Sequence, residues 1–232
     1  MIRKSLVILS GGQDSTTCLA VSYQESEEVH CITFNYGQRH SIEIESAIAV
    51  AQAFNVTSHE VINLGATILA SRSPLVSSNK VSKYESIDDL PEGVEPTFIP
   101  GRNILFLTIA ANRAAALDIT DIYTGLCQED YGGYSDCRAV FVEAMSSAIG
   151  EGIYGNPNAF SIQTPLMHLT KAQSVDLAVE SMGSRFDEIM GMTHTCYDGV
   201  KGGCGACHAC HLRDRGFKEA GVVDPIWHFR KA

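Results

Sequence analysis

Short apolar runs alternate with helix-length segments along this chain, and that rhythm restricts the fold more than any other feature. Residues 5–10 (SLVILS), 29–37 (VHCITFNYG), 58–64 (SHEVINL), 121–126 (DIYTGL) and 159–166 (AFSIQTPL) read as strands, the first of them with the unbroken apolar character of a strand buried on both faces. Residues 14–24, 40–55, 103–118, 138–150 and 170–183 read as helices. In the second, Ile44, Ala47, Ile48 and Ala51 fall at the spacing of one helix face. The third is apolar enough to predict a buried helix, and Thr170 is placed to cap the fifth. Strands and helices alternating at these lengths predict parallel pairing through right-handed crossovers, hence an α/β, doubly wound, mostly parallel sheet. Ligands of such sheets bind beyond the carboxyl ends of the strands. The turns that follow the strands therefore gather on one edge.

Residues 71–99 break the rhythm. They are polar and serine-rich, and a loop of this length in a compact domain is expected to be a lid or partly disordered.

The turn after the first strand, SGGQDS, does not match the common phosphate loop with its lysine, nor the dinucleotide glycine pattern. It keeps the physics of both. Gly11 and Gly12 let the backbone turn tightly and approach an anion. The helix that follows aims its free N–H groups and its positive end at the turn. Ser10 and Ser15 offer hydroxyl donors. Asp14 repels a phosphate directly but can hold a magnesium ion that binds one. A bare glycine pair would read as a simple strand–helix turn; SGGQDS directly behind an apolar first strand reads as a nucleotide site.

Of eight cysteines, Cys18, Cys31, Cys127 and Cys137 are scattered, while Cys196, Cys204, Cys207 and Cys210 are gathered late. Two successive C-x-x-C spacings among glycines favour a metal over disulfides. Four thiolates in a closed tetrahedron suit one structural zinc ion; an iron–sulfur cluster is the rival. His208 and His211 lie between the cysteines. They are expected to face outward, since four sulfurs complete the shell.

FIPGRN closes the long insertion and opens a helix, which places Arg102 and Asn103 near an anion or a base edge. After the fourth strand, GLCQEDYGGYSDCR offers Asp130, Tyr134, Asp136 and Arg138 within one turn region. Arginine suits a planar carboxylate, and aspartate suits a ring edge with paired donors. Singly, each of these residues reads as a surface turn or an ion pair; clustered at the ligand edge, they read as a pocket.

SGGQDSTT resembles the pyrophosphate loop (PP-loop) of the ATP pyrophosphatases, and together with PGRN, GYSDCR and the late cysteine segment it resembles the family of 7-cyano-7-deazaguanine synthases of queuosine biosynthesis. The resemblance runs in order over nearly the whole chain. It implies a fold of the adenine-nucleotide hydrolase type over residues 1–190 and a zinc-binding module over 191–232. It implies ATP at Leu9, Ser10, Gly11, Gly12, Gln13, Asp14, Ser15, Thr16 and Thr17, with Asp14, Ser15, Arg102 and Arg138 catalytic. The substrate would be held by Asp130, Tyr134, Asp136 and Arg138. The implied reaction joins 7-carboxy-7-deazaguanine and ammonia at the expense of ATP, giving a nitrile through an adenylated acid and an amide. Magnesium would accompany ATP, and a homodimer is expected.

The net charge of −10 argues against a nucleic-acid partner, and so against a tRNA-modifying enzyme or a zinc-containing nucleic-acid regulator. The apolar run in MIRKSLVILSGG is too short to span a bilayer, so a cytoplasmic protein without a membrane partner is expected.

Overall fold

In the computed structural model, residues 2–91, 93–128 and 133–226 are described. Five strands form one sheet: β1 (Lys4–Ile8), β2 (Glu28–Asn35), β3 (Ser58–Asn63), β4 (Asp121–Tyr123) and β5 (Ser161–Gln163). Their order is β3-β2-β1-β4-β5, and every pairing is parallel. Winding outward in both directions from β1 puts the topological switch between β1 and β4, as the alternation of elements predicts.

Alternate residues of each strand serve opposite faces. Leu6, Ile32 and Ile122 enter a core with Leu107, Ala110 and Val142. These come from α3 (Arg102–Ala116) and α4 (Ala139–Tyr154). Their neighbours Val7, Cys31 and Tyr123 enter a second core with Leu19, Ala47, Val175 and Phe217. That face carries α1 (Gln13–Glu25), α2 (Ile42–Phe54), α5 (Lys171–Met182), α6 (Phe186–Gly191) and α7 (His208–Glu219). Thr170 caps α5 as expected: its side chain accepts from the Gln173 amide, and Gln173 answers on the Thr170 amide.

Three expectations need correction. The inward face of α2 is Ser46, Ala47, Val50, Ala51 and Phe54, whereas Ile48 is 36% exposed. The helix turns its inward face between the two stripes of apolar residues. α3 is buried only along Leu107, Ala110, Ala111 and Ala114, and Ile104 points to solvent. It lies on one sheet face as an outer layer. Residues 71–99 hold a single short helical turn, Ile87–Asp89, among the described residues. They are nonetheless packed: Leu75, Val81, Glu95, Thr97 and Ile99 are buried. No helix among the described residues is long and apolar enough to cross a membrane.

Candidate active site and metal centre

β1 ends at Ile8, and the chain turns through Ser10, Gly11 and Gly12 into α1. Gly11 has φ +81°, and a Cβ there would lie 2.3 Å from the Glu43 carbonyl oxygen. Only glycine lets the turn sit that close to α2. Gly12 is the N-cap of α1, and no side chain caps the helix. Its first amides and the positive end of its dipole are thus left for an anion. The Ser15 hydroxyl donates to the Gly12 carbonyl at 3.1 Å, accepts from the Ser10 amide at 3.1 Å, and lies 2.9 Å from the Ser10 hydroxyl. These bonds fix the loop from inside. Across the switch, a Cβ on Gly125 would come within 3.0 Å of the Ser15 amide nitrogen, so the segment leaving β4 lies against the start of α1.

A cavity of about 300 Å³ opens at this edge. Leu9, Ser10, Gly12, Gln13, Asp14, Ser15, Arg102 and Tyr134 line it, which brings together most of the residues the sequence singled out. Gly11, Thr16 and Thr17 do not line it. Gly11 packs on α2, while Thr16 and Thr17 are buried beneath the loop, with the Thr17 hydroxyl donating to the Gln13 carbonyl at 2.9 Å. The side-chain oxygens of Gln13 and Thr16 are buried without a hydrogen-bond partner. A ligand or water at the loop would satisfy the one that faces the cavity.

Arg138 and Tyr134 line a second cavity with Gln128, Glu143 and His168. Tyr134 belongs to both cavities and stacks on Phe98 at 5.1 Å between centroids. Asp136 is buried and lines neither cavity; burial pushes its carboxyl up, against Arg102 and hydrogen bonds from Asn103. Asp130 lies outside the described residues.

Sequence reading missed three charged groups of the first cavity, Lys171, Glu43 and Arg213. Lys171, the first residue of α5, places its Nζ 2.9 Å from Asp14 Oδ2 and 3.1 Å from Oδ1. The available signal was its position behind β5 at a capped helix start, the same edge that the phosphate turn occupies. Glu43 stands in the first turn of α2. Burial pushes its carboxyl up to about 7, the charge of Arg102 opposing the rise. Nothing in its local sequence separates it from a solvated helix residue.

The sulfurs of Cys196, Cys204, Cys207 and Cys210 all lie within 4.8 Å of one another. A tetrahedron with metal–sulfur bonds of about 2.3 Å has sulfur–sulfur edges of about 3.8 Å, so the four fit one ion with little movement. Backbone amides already point at the sulfurs: Cys204 N to Cys196 Sγ at 3.3 Å and Cys207 N to Cys204 Sγ at 3.3 Å. Cys207 stands at the N-cap position of α7 without a side-chain capping bond, which puts Cys210 in the helix's first turn. The two histidines do not face outward. His208 is buried, and His211 Nε2 lies 3.0 Å from the Tyr84 carbonyl oxygen. Both sit at the start of α7, so they pack between the cysteine turn and the rest of the protein.

The segment before Cys196 reaches the phosphate loop. His194 N donates to the Gly11 carbonyl at 2.8 Å. Arg213, 1% exposed, braces that segment through Thr193 and Thr195 and pairs with Asp224 through two bonds of 2.8 Å.

The family model described as queuosine biosynthesis protein QueC matches residues 4–221. A 7-cyano-7-deazaguanine synthase of Gloeobacter violaceus is 62% identical over 230 residues, covering 99% of this chain and 98% of that protein. The one from Oceanobacillus iheyensis is 43% identical over 230 residues, with 97% of each covered. Among solved structures, a predicted subunit of tRNA methyltransferase from Methanocaldococcus jannaschii matches with a TM-score of 0.45 and 18% identity, over 72% of this chain and 70% of its own. Matched by the family model over almost its whole length, and by two synthases end to end, the chain belongs to the queuosine biosynthesis protein QueC family.

Proposed function

We propose that this protein converts 7-carboxy-7-deazaguanine and ammonia to 7-cyano-7-deazaguanine, using two ATP molecules in one site. The observation that carries the reading is the first cavity, where the uncapped start of α1, the Asp14–Lys171 pair and Arg102 face one space. A carboxylate is a poor electrophile. Its oxygen attacks the α-phosphorus of ATP and pyrophosphate leaves. Ammonia attacks the acyl carbon, loses a proton, and AMP leaves with the oxygen, giving the amide. The amide oxygen then attacks the α-phosphorus of a second ATP, and a second pyrophosphate leaves. Loss of AMP and of the remaining N–H protons gives the nitrile.

In this reading the departing pyrophosphate lies on Ser10, Gly12, Gln13 and Ser15 at the positive end of α1. Leu9, Gly11, Thr16 and Thr17 hold the turn in shape from behind. Asp14 would hold magnesium, which supplies charge neutralisation at the phosphates. Lys171 supplies the fixed cation that the sequence of the loop lacks. Arg102 would steady the carboxylate in the first cavity. Tyr134 and Arg138 would hold the deazaguanine in the second, with Asp136 behind them and Asp130 earlier in the same loop. The four cysteines would hold one structural zinc, since a closed all-thiolate shell leaves no position for a substrate. Residues 1–190 form the PP-loop domain and 191–232 the zinc module in this reading. A homodimer in the cytoplasm completes it; exposed Ile104, Val140 and Ile153 on α3 and α4 are apolar side chains that such an interface would cover. No nucleic acid takes part.

The test supplies the synthetic amide in place of the acid. It should be converted to nitrile without ammonium, with one AMP released per product instead of two. An amide that is not converted, or that still needs ammonium, overturns the shared-site order. ADP in place of AMP overturns the reading of the loop.

A further inference from the structure

Residues 71–99 have almost no backbone ladder to hold them, yet Leu75 and Thr97 form part of the wall of the nucleotide cavity. One set of contacts ties the segment to itself. Ser73 Oγ donates to the Thr97 carbonyl at 2.8 Å, and the Thr97 amide donates to Glu95 at 2.6 Å. The other set runs to the cysteine turn. Lys83 Nζ donates to Asp198 Oδ2 at 2.7 Å and to Cys204 Sγ at 3.1 Å. The Tyr84 amide donates to the Ala206 carbonyl at 2.8 Å, and Val81 packs among Cys196, Cys207 and Cys210.

The same turn meets two further segments that contribute to the cavity wall, through Gly11 and His40, which do not line it themselves. His194, two residues before Cys196, is bonded to Gly11 of the phosphate loop. A Cβ at Gly199 would lie 2.2 Å from the ring of His40, in the segment between β2 and α2. Three wall segments that are distant in sequence therefore converge on one cluster of four sulfurs.

We propose that Lys83 is a positioning residue that ties the 71–99 insertion to the cysteine cluster, so that metal held there sets the shape of the nucleotide cavity. Four thiolates around a divalent ion leave a net negative centre, and metal binding is what keeps the sulfurs as thiolates. Lys83 donates to one of those sulfurs and to the neighbouring Asp198. Loading the cluster thus gives the insertion a second charged anchor beside Asp198, and emptying it leaves Lys83 with Asp198 alone. The side chain of Lys83 is 42% exposed, so replacing it leaves no buried void. This inference rests on ATP occupying the first cavity.

The test compares metal-loaded wild type, Lys83→Met and Lys83→Arg by amide hydrogen exchange, metal content and ATP kinetics. In Lys83→Met, exchange should quicken across residues 73–99 while the strands stay protected and bound metal is unchanged. KM for ATP should rise about fivefold at unchanged kcat, the size expected from losing one partly exposed ion pair. Lys83→Arg should restore both protection and KM. Unchanged exchange and KM in Lys83→Met overturn the tie. Loss of metal in that variant also overturns it, because Lys83 would then serve the ion rather than the insertion. Failure of the wild type to bind ATP would count against the cavity assignment alone, since the exchange comparison reads the tie without nucleotide.

Discussion

Lys171→Met tests the charge at the proposed nucleotide site most directly. The stem of Lys171 is wedged against α7, where a Cβ on Gly216 would lie 2.3 Å from Lys171 Cγ. Methionine keeps that part of the side chain and removes only the charged end. The lost pair is intermediate in character: side-chain exposure is 7% for Lys171 and 27% for Asp14. Buried pairs cost about 3–5 kcal/mol when one partner is removed and exposed ones about 0–1, so about 2 kcal/mol is expected here. For a chain of this size that lowers Tm by about 4–8 °C, which leaves the protein folded at 25 °C. The effect on turnover should be larger. An ammonium about 4 Å from a phosphate charge contributes about 4 kcal/mol at an effective dielectric of about 20. Water entering the cavity screens part of it. A fall of two to three orders of magnitude in kcat/KM for ATP is therefore expected, on the order of 3–4 kcal/mol. Steady-state release of AMP measures the rate and a thermal melt measures the fold. If Lys171→Met melts lower but keeps kcat/KM within about threefold of wild type, Lys171 only braces Asp14, and the account of the site's charge is wrong.

Gly125→Ala places a methyl group 3.0 Å from the Ser15 amide nitrogen and 3.1 Å from the Asp14 carbonyl carbon, so it should push the start of α1 out of line. About a tenfold or greater loss of kcat/KM is expected from a displaced anion site, with a small change in Tm. Purified protein should carry one metal ion per chain by elemental analysis, be colourless if the ion is zinc, and lose solubility in Cys207→Ala before any other property; brown protein with iron and sulfide would refute zinc. Glu43→Gln should raise Tm at pH 8 and leave it unchanged near pH 4. The carboxyl rests near 7 in the folded protein, above its value of 4.5 in the unfolded chain, so its ionisation costs stability progressively between those values. The difference should grow across that window to about 3 kcal/mol, and a constant offset at both pH values would show that the effect is not ionic.

The fold was legible because burial on two sheet faces writes itself into single residues. Leu6 and Val7, or Ile122 and Tyr123, serve opposite cores one position apart, which in β1 forces the unbroken apolar run that marks the strand. Helix faces were less legible. In α2 both Ile48 and Val50 are apolar, and only the packing against β2 and β3 decides that Val50 is buried at 0% while Ile48 is exposed at 36%. The glycine turn and the cysteine set stand out in the sequence because their residues are contiguous or nearly so. The rest of the site is assembled by topology. Asp14 and Lys171 stand 157 positions apart and meet because β5 lies next to β4 and β4 next to β1. That places the start of α5 beside the start of α1. Counting four cysteines set the histidines aside as ligands, but it says nothing about where a side chain so set aside points. His211 turns inward because the insertion passes there and leaves the Tyr84 carbonyl within reach. Such a chain therefore shows a candidate anion cradle and a candidate metal set in its local chemistry, while the charged groups facing them depend on strand order. A search for the lysine missing from a glycine turn should begin at the helix starts beyond neighbouring strands of the same sheet.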